Sequence, residues 1–413
     1  MACGSDRLKL TLDLGSQPPA NSYKDTKDEV QEEFPLAINR CLDCYHVQLT
    51  HIVNPDLLYK NYLYVSGTSQ TMKDHFKWFA NWTLEQANIN TPDYQNYFRV
   101  LDIGCNDGSQ LDAYLGCETN DLYSPRIIHT HGVDPATNLH AMSAAKHIVH
   151  CGYFDDDYLE KQLNYEGFDI IVAQNVFAHN PDPVSFLQRA SALLSMYGRI
   201  YIQTSQADMI LNNEFDTIYH EHISFYNINS MNELCKRAGV YLLDVVKCPL
   251  HGNSYIFTIS NDELYYRPKH IQNLIEMERK AGLMSEQTYI HYEEKCKKVM
   301  KDLRDAVDNY VRLEVGWFAI GYGAAAKGMT LINAAKPRID FIIDDNPLKQ
   351  GKFTPGSGIP IVSSAELDKY KDACLFIPLA WNFYDEIREK IKTRHDCKYD
   401  KFVRYFPEVV VSD

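Results

Sequence analysis

Residues 99–108 read RVLDIGCNDG, and this segment is the strongest indication of the fold class. An apolar run leads into a polar loop with two glycines, and a helical pattern follows around residues 111–115. Glycine has no Cβ and accepts positive φ, so such loops let a ligand approach the backbone at the end of a strand. The dinucleotide fingerprint G-x-G-x-x-G fails here, because Asn106 and Ser109 stand at its second and third glycine positions.

The flanking sequence alternates between strand and helix patterns. Apolar runs predict strands at residues 127–133, 169–173 and 199–203. This alternation predicts an α/β fold with a doubly wound parallel sheet. Further on, residues 230–233 fit a capping box that opens a helix ending at Gly239.

A second strand–loop–helix unit begins near Trp317, and further strands are predicted at residues 339–343 and 373–377. This part therefore forms a second Rossmann-like α/β domain. The residues before about Asp56 are irregular and contain closely spaced cysteines. We accordingly predict three domains, at residues 1–72, 73–245 and 246–413.

The composition and the net charge indicate which classes of binding partner are disfavoured. The formal net charge is −14 and the chain has no long basic run, which argues against DNA or RNA as a ligand. No apolar run reaches the roughly 18 residues of a membrane helix, and residues 1–6 lack the pattern of a signal peptide. We therefore expect a cytoplasmic protein whose 11 cysteines are reduced or bind a metal.

The first glycine loop resembles the S-adenosylmethionine (SAM) loop of class I methyltransferases. The matching pattern, Asp-x-Gly-x-Asn-x-Gly, is formed by Asp102, Gly104, Asn106 and Gly108. SAM has no pyrophosphate and therefore does not need the full dinucleotide cradle. Asp134 ends the next predicted strand, where a carboxylate can accept both ribose hydroxyls of the cofactor.

Asp134, Asp155 and Asp156 can also be interpreted as residues with a structural role. Asp134 could cap a helix that has Pro135 at its first position, and that role is compatible with ribose binding. At the adenine end, Asp155 or Asp156 could contact the base, or both could be solvated residues at a helix start.

Longer stretches resemble the sugar C-methyltransferase family, which includes enzymes that 3-C-methylate dTDP-4-keto-deoxysugars. The stretches are YLYVSGTS at 62–69, DIGCNDG at 102–108, QNVFAH at 174–179, FDTIYHEH at 215–222, GYGAAAK at 321–327 and DDNPLKQGK at 344–352. They extend over nearly the whole chain, and Tyr-His-Glu-His is the most specific part. The resemblance implies a class I methyltransferase domain between a small zinc-ribbon-like N-terminal lobe and the second Rossmann-like domain, with SAM as cofactor and Asn175 as one of its contacts.

The resemblance also implies a chemistry. Methylation of carbon requires a carbanion equivalent, which deprotonation beside a ketone supplies as an enolate, so the enzyme needs a base and a stabiliser of the enolate oxygen. His222 is the predicted base, because a neutral imidazole is available near neutral pH. Tyr219 is predicted to bind the enolate oxygen and Glu221 to orient an imidazole or hold a sugar hydroxyl. His179 is the predicted donor or proton shuttle, and Tyr64 is predicted to close the pocket.

A second glycine loop follows the strand near Trp317. Gly321, Gly323 and Ala326, with Asp344 after the next strand, satisfy the dinucleotide fingerprint in its G-x-G-x-x-A form, which by itself favours an NAD-dependent enzyme. The resemblance instead assigns the loop to the diphosphate of a nucleotide sugar, with dTDP favoured, since a helix N-terminus suits either pyrophosphate. Additional positive charge is predicted from Lys327, Lys349 and Lys352.

A structural zinc site is predicted in the N-terminal lobe. Cys3, Cys41 and Cys44 supply three ligands, and His46 or His51 could supply the fourth. The family has a cysteine pair where this sequence has Cys3 alone. The alternative is three free thiols.

Other functions stay open at the level of sequence. An O- or N-methyltransferase acting on a nucleotide sugar would use the same SAM domain without a carbon-acid step. An NAD-dependent enzyme, or a binder without catalytic activity, could be built on the C-terminal loop. A zinc hydrolase based on His220 and His222 is disfavoured, because their spacing is not that of H-E-x-x-H.

Overall fold

The computed structural model describes residues 1–59, 65–68, 70–90, 96–117, 127–155, 157–158, 167–205, 207–248, 254–313, 317–395 and 397–413. Within these ranges the strands are β1 (Leu8–Gln17), β2 (Phe34–Cys41), β3 (Val47–Leu49), β4 (Tyr97–Ile103), β5 (Ile127–Asp134), β6 (Ile148–Cys151), β7 (Phe168–Gln174), β8 (Leu194–Ser205), β9 (Ser224–Phe225), β10 (Tyr241–Cys248), β11 (Ser254–Ser260), β12 (Phe318–Tyr322), β13 (Phe341–Ile343), β14 (Ile361–Val362), β15 (Cys374–Pro378), β16 (Lys401–Arg404) and β17 (Val410–Ser412). The α-helices are α1 (Pro55–Tyr59), α2 (Gln70–Asn90), α3 (Ser109–Leu115), α4 (His140–Ser143), α5 (Pro183–Ala192), α6 (Met209–Asn212), α7 (Ile228–Ala238), α8 (Pro268–Lys280), α9 (Glu286–Leu313), α10 (Ala326–Ala335) and α11 (Tyr384–Arg394). The predicted site residues Tyr64 and Asp156 lie outside the described residues.

The central sheet has the strand order β10-β11-β8-β7-β4-β5-β6, and all its strands are parallel except β11. The predicted doubly wound α/β architecture is therefore confirmed. Leu101 and Ile171, on β4 and β7, are fully buried because helices cover both faces of such a sheet. The carboxyl ends of β4, β5 and β7 meet at one edge of the sheet, which is where open α/β sheets bind their ligands.

The C-terminal sheet has the order β14-β13-β12-β15-β16-β17 and is parallel except for the last pair. Helix α10 follows β12 after a short loop, as the second glycine pattern predicts. The 28-residue helix α9 packs against both α10 and β1 and so connects this domain to the N-terminal lobe.

The N-terminal lobe is an antiparallel sheet in the order β1-β2-β3-β9. Its last strand comes from the central domain: Val47 pairs with Phe225, and Gln48 pairs with Ser224. The lobe is therefore hydrogen-bonded to the chain directly after the Tyr-His-Glu-His segment, and this pairing fixes its position beside that segment.

Helix α7 begins three residues earlier than the predicted capping box. Asn227 is the N-cap, its side chain accepts from the Ser230 N–H at 2.7 Å, and the Ser230 hydroxyl accepts from the Asn227 N–H at 3.1 Å. A cap of this kind contributes about 1 kcal/mol. The predicted end is confirmed, because Gly239 adopts a left-handed conformation with φ of 75°.

None of the helices in the described ranges combines the length and the apolar character that crossing a bilayer would require.

Candidate active site

The first glycine loop turns sharply at the carboxyl end of β4. Gly104 and Gly108 have φ of 76° and 84°, a region that other residues rarely adopt. A Cβ at Gly104 would lie 2.9 Å from the Val176 side chain, so only glycine fits between β4 and the chain after β7. The Asn106 side chain accepts from the Ser66 N–H at 3.0 Å, which brings the segment before α2 onto the loop.

Asp134 joins this loop to the next one. Its carboxylate accepts hydrogen bonds from the Asn106 N–H at 2.9 Å and the Ala136 N–H at 2.8 Å. The alternative role as the cap of a directly following helix is wrong, because the next helix begins only at His140. Burial raises the pKa of Asp134, and it also raises that of Asp102, with a smaller contribution from the Asp134 charge.

A cavity of about 860 Å³ connects the three domains. At the end against the first glycine loop it is lined by Asp102, Gly104, Asn106, Asp134, Asp155 and Asn175. In its middle lie Tyr59, His179, Tyr219, Glu221 and His222. At its far end lie Ala326, Lys327, Lys349, Trp381 and Phe383. The structure thus brings most of the residues predicted from the sequence into one space.

His222 and Tyr219 form a hydrogen-bonded pair in the middle of the cavity. A turn between them, closed by the His222 N–H donating to the Tyr219 carbonyl at 2.9 Å, places both rings on one side. The Tyr219 Oη lies 2.7 Å from His222 Nε2, and His222 Nδ1 lies 3.0 Å from the Thr217 carbonyl oxygen. A carbonyl only accepts, so Nδ1 carries the proton, and Nε2 is left as the acceptor for the tyrosine hydroxyl.

His179 stacks on His222, with ring centroids 5.4 Å apart. Its other face stacks on Tyr59, at 5.6 Å and an interplanar angle of 8°. His179 Nε2 is buried and has no hydrogen-bond partner among the described residues, which is rare for a buried polar atom unless a ligand completes it. Burial lowers the pKa of His179 to about 4, so its ring is neutral near pH 7.

The side chains of Glu221 and His220, the other two residues of the Tyr-His-Glu-His segment, point in different directions. Glu221 lines the cavity and accepts from the Asn21 side chain at 2.8 Å. His220 turns away, since its Nε2 lies 3.3 Å from the Phe34 carbonyl oxygen. Among the described residues, His220 and His222 do not belong to a group that could hold a metal ion, so the geometry gives the zinc-hydrolase interpretation no support.

The second glycine loop places the N-terminus of α10 at the far end of the cavity. Gly323 has φ of 88°, and the Ala324 N–H donates to Asp344 at 2.7 Å. Lys349 donates to the Ala324 carbonyl at 2.7 Å, and burial lowers its pKa while Asp344 opposes the shift. Gly321 packs under the loop, where a Cβ would meet Ile342 at 2.9 Å.

Lys327 and Lys352, which are both predicted to add positive charge at this end, differ in their position relative to the cavity. Lys327 lies at the cavity, with its ammonium 5.4 Å from the centre of the Trp381 ring. Lys352 is not among the cavity residues and forms an ion pair with Asp25 instead. Its predicted role in substrate binding therefore lacks support from the geometry, because its charge is already paired outside the cavity.

Trp381, Tyr59 and Asn21 are among the cavity residues that the sequence does not predict. Trp381 donates its indole N–H to the buried Asp216 at 2.8 Å and so joins the C-terminal domain to the central one. Tyr59 and Asn21 reach the cavity from the N-terminal lobe. Neither lobe residue belongs to a recognisable motif, and long-range contacts such as the pairing of β3 with β9 bring them to the site.

The sulfur atoms of Cys3, Cys41 and Cys44 lie within 4.8 Å of one another. Three clustered thiols fit a soft ion such as zinc. His46 is not the fourth ligand: its Nε2 lies 3.2 Å from the Ser224 hydroxyl, outside the cluster. His51 stacks on Phe34 and does not join the thiols either.

A second group of metal-binding residue types, Cys374, His395 and Asp400, is buried in the C-terminal domain. The Asp400 carboxylate lies 2.8 Å from His395 Nδ1 and accepts from the Cys374 N–H at 2.9 Å. These bonds explain the arrangement as a structural connection between β15 and the chain before β16.

Three family models match consecutive parts of the chain. A model described as "Putative zinc binding domain" matches residues 1–59, one described as "Methyltransferase domain" matches 66–245, and one described as "C-methyltransferase C-terminal domain" matches 249–407. All three descriptions agree with the order of lobe, central sheet and second domain seen here.

Individual proteins are similar to different extents. The C-methyltransferase NovU of Streptomyces niveus is 29% identical over 402 residues, which cover 94% of this chain and 91% of NovU. The ubiquinone biosynthesis O-methyltransferase of Bradyrhizobium sp. (strain ORS 278) is 33% identical over 123 residues, 29% of this chain and 44% of that protein. Among solved structures, the CurJ carbon methyltransferase aligns over 47% of this chain and 56% of that chain, with 16% identity and a TM-score of 0.35.

The end of the cavity against the first glycine loop fits SAM. Gly104 and Asn106 of this loop line the cavity, and the buried carboxylate of Asp134 lies at the end of the next strand and also lines it. Asn175 adds a third element, since its φ of 57° turns the chain at the end of β7 toward the same space. This site, the near full-length similarity to the C-methyltransferase NovU and the three matching family models together support a SAM-dependent methyltransferase.

Proposed function

We propose that the enzyme methylates a ring carbon, C3, of a nucleotide-linked 4-keto-deoxysugar through an enolate. The observation that carries this proposal is the hydrogen bonding of His222, which leaves Nε2 as the acceptor in a cavity that opens to both glycine loops. O- and N-methylation start from a lone pair and need no carbon acid, whereas an oriented imidazole base suits deprotonation of carbon.

The base and the hydrogen-bond donor exchange partners when substrate binds. Without ligand, the Tyr219 hydroxyl donates to His222 Nε2. The substrate ketone oxygen then takes over the tyrosine hydrogen bond, and Nε2 receives the C3 proton. The C–H electron pair becomes the enolate, and the Thr217 carbonyl stabilises the imidazolium through Nδ1–H.

His179 supplies a second contact to the developing oxyanion. Its neutral ring can donate one hydrogen bond without adding a second positive charge next to His222, and its Nε2 has no other partner among the described residues. Glu221 holds a sugar hydroxyl, in line with its position on the cavity wall and its hydrogen bond to Asn21.

The cofactor lies against the first glycine loop. Asp134 accepts the ribose hydroxyls with the lone pairs that Asn106 and Ala136 leave available, and Asp155 stands toward the adenine. SAM, when bound there, supplies a methyl group on a positively charged sulfur that departs as a neutral thioether. Asn175 holds the cofactor from the end of β7.

The nucleotide diphosphate lies at the far end of the cavity. The N-terminus of α10 offers backbone N–H groups and the positive end of its dipole. Lys327 and Lys349 add charge at the same place, and both line the cavity. Because this loop serves a diphosphate, the C-terminal domain does not need to bind a nicotinamide cofactor.

The test is an incubation with ¹³C-methyl SAM and a dTDP-4-keto-6-deoxyhexose, followed by NMR of the product. We expect the labelled methyl group on C3. A methyl group on oxygen or nitrogen would favour the O- or N-methyltransferase alternative. If no transfer occurs while NAD binds to the second glycine loop, the proposal is wrong and an NAD-dependent function replaces it.

A further inference from the structure

Three rings form a continuous column along one wall of the cavity. Tyr59 stacks on His179 with centroids 5.6 Å apart, and His179 stacks on His222 at 5.4 Å. His222 in turn contacts Tyr219 at 4.0 Å between ring centres. We call Tyr59, His179 and His222 the ring column.

The backbone fixes the two histidines relative to each other. The Ile223 N–H donates to the Ala178 carbonyl at 2.8 Å, so the residues after His222 and before His179 are directly bonded. The His179 N–H closes a turn on the Val176 carbonyl at 3.0 Å. These bonds set the Cα positions of both residues, but they leave the rotation of the His179 ring to its side-chain neighbours.

The faces of the His179 ring are held from both sides. His222 covers one face and is itself oriented by Thr217 and Tyr219. Tyr59 covers the other face, nearly parallel, at an angle of 8°. Without the Tyr59 ring, that face would be open to the cavity and the imidazole could rotate into it.

We propose that Tyr59 is a positioning residue, which holds the His179 imidazole in the orientation that its hydrogen bond to the substrate requires. The proposal rests on the role given to His179 above. The Tyr59 hydroxyl lies 3.4 Å from the Glu221 carbonyl oxygen, a long hydrogen bond, so the ring rather than the hydroxyl carries the effect.

Through Tyr59, the N-terminal lobe takes part in the reaction. Tyr59 ends α1, which follows β3, and β3 pairs with β9 two residues after His222. Cys41 and Cys44 lie on and just after β2 in the same sheet. The lobe whose three clustered cysteines fit a zinc ion therefore also holds one face of a side chain in the active site.

The test compares Tyr59→Leu with Tyr59→Phe in the full-length enzyme. Leucine removes the flat ring, and we expect kcat to fall about tenfold while the Kd for SAM stays within twofold. Phenylalanine keeps the ring and should restore most of the turnover. Zinc content and Tm of both variants report whether the lobe is intact.

A double-mutant cycle with His179→Asn separates positioning from general damage. If Tyr59 acts through His179, the double variant should be no slower than His179→Asn alone. Independent, multiplicative losses would overturn the proposal, as would a wild-type kcat in Tyr59→Leu, a full loss in Tyr59→Phe, or a wild-type kcat in His179→Asn. Product analysis of the wild-type enzyme tests the proposed function separately, since the site of methylation does not depend on these ratios.

Discussion

Replacement of His222 by asparagine tests the base without removing its anchor. An asparagine amide can donate to the Thr217 carbonyl in place of His222 Nδ1–H, which now lies 3.0 Å from that oxygen. It has no atom at the position of Nε2, so the acceptor 2.7 Å from the Tyr219 hydroxyl is lost. The variant therefore deletes the proton acceptor while it keeps the turn that presents it.

The expected loss follows from the role of the group. A positioned general base contributes about 10²–10⁴-fold in rate, and this equals roughly 2.7–5.5 kcal/mol of transition-state stabilisation. Loss of the hydrogen bond from Tyr219 should lower the free energy of unfolding by only about 1 kcal/mol. The rate should thus fall far more than the stability.

The assay measures kcat for methyl transfer, the Kd for SAM by calorimetry, and Tm. His220→Asn is the matched control, because it makes the same change two residues away on a side chain that points to Phe34 and not into the cavity. We expect this control to keep kcat within about twofold of wild type. If His222→Asn also keeps normal kcat, then His222 is not the base.

Four further variants probe other parts of the cavity and the fold. Asp134→Asn should weaken SAM binding about 10- to 100-fold in calorimetry with kcat at saturation largely kept, because charge-assisted hydrogen bonds are worth about 1.5–3 kcal/mol. Lys349→Met should raise the KM for the nucleotide sugar about tenfold, whereas Lys352→Met, whose ammonium pairs with Asp25, should leave KM unchanged. Burial raises the pKa of Glu278 from 4.5 to about 8, so wild-type stability should fall by up to about 4 kcal/mol between these pH values, and Glu278→Gln should remove this decline in urea unfolding.

Most of the central fold could be predicted from the sequence. Strands β4, β5, β7 and β8 are recognisable in the sequence as apolar runs. Strands that are buried on both faces show little alternation between apolar and polar residues. The edge strand β6 has only four residues, and its Ile148 is exposed. The antiparallel strand β11 is preceded by residues that form no recognisable motif. These strands depend on pairing with distant neighbours, and their own sequences carry little signal.

The residues of the candidate site could be predicted where they belong to a recognisable sequence motif. The positions of Tyr219 and His222 follow from a turn of three residues, and those of Gly104 and Gly108 from the strand–loop–helix pattern. Tyr59 could not be predicted, because its place depends on the pairing of β3 with β9. Lys352 is predicted to contact the diphosphate because of its charge. In the structure its ammonium instead forms a long-range ion pair with Asp25 of the N-terminal lobe.

The proposed reaction depends on ionisation of a carbon acid by His222. The most direct measurement incubates the nucleotide-linked 4-keto-deoxysugar with enzyme and S-adenosylhomocysteine in heavy water, so that no methyl group can be transferred, and follows deuterium at C3 by NMR. We expect exchange with the wild-type enzyme and with His220→Asn, and at least a 100-fold slower exchange with His222→Asn. Equal exchange with and without His222, or no exchange by an enzyme that still methylates C3, would contradict it.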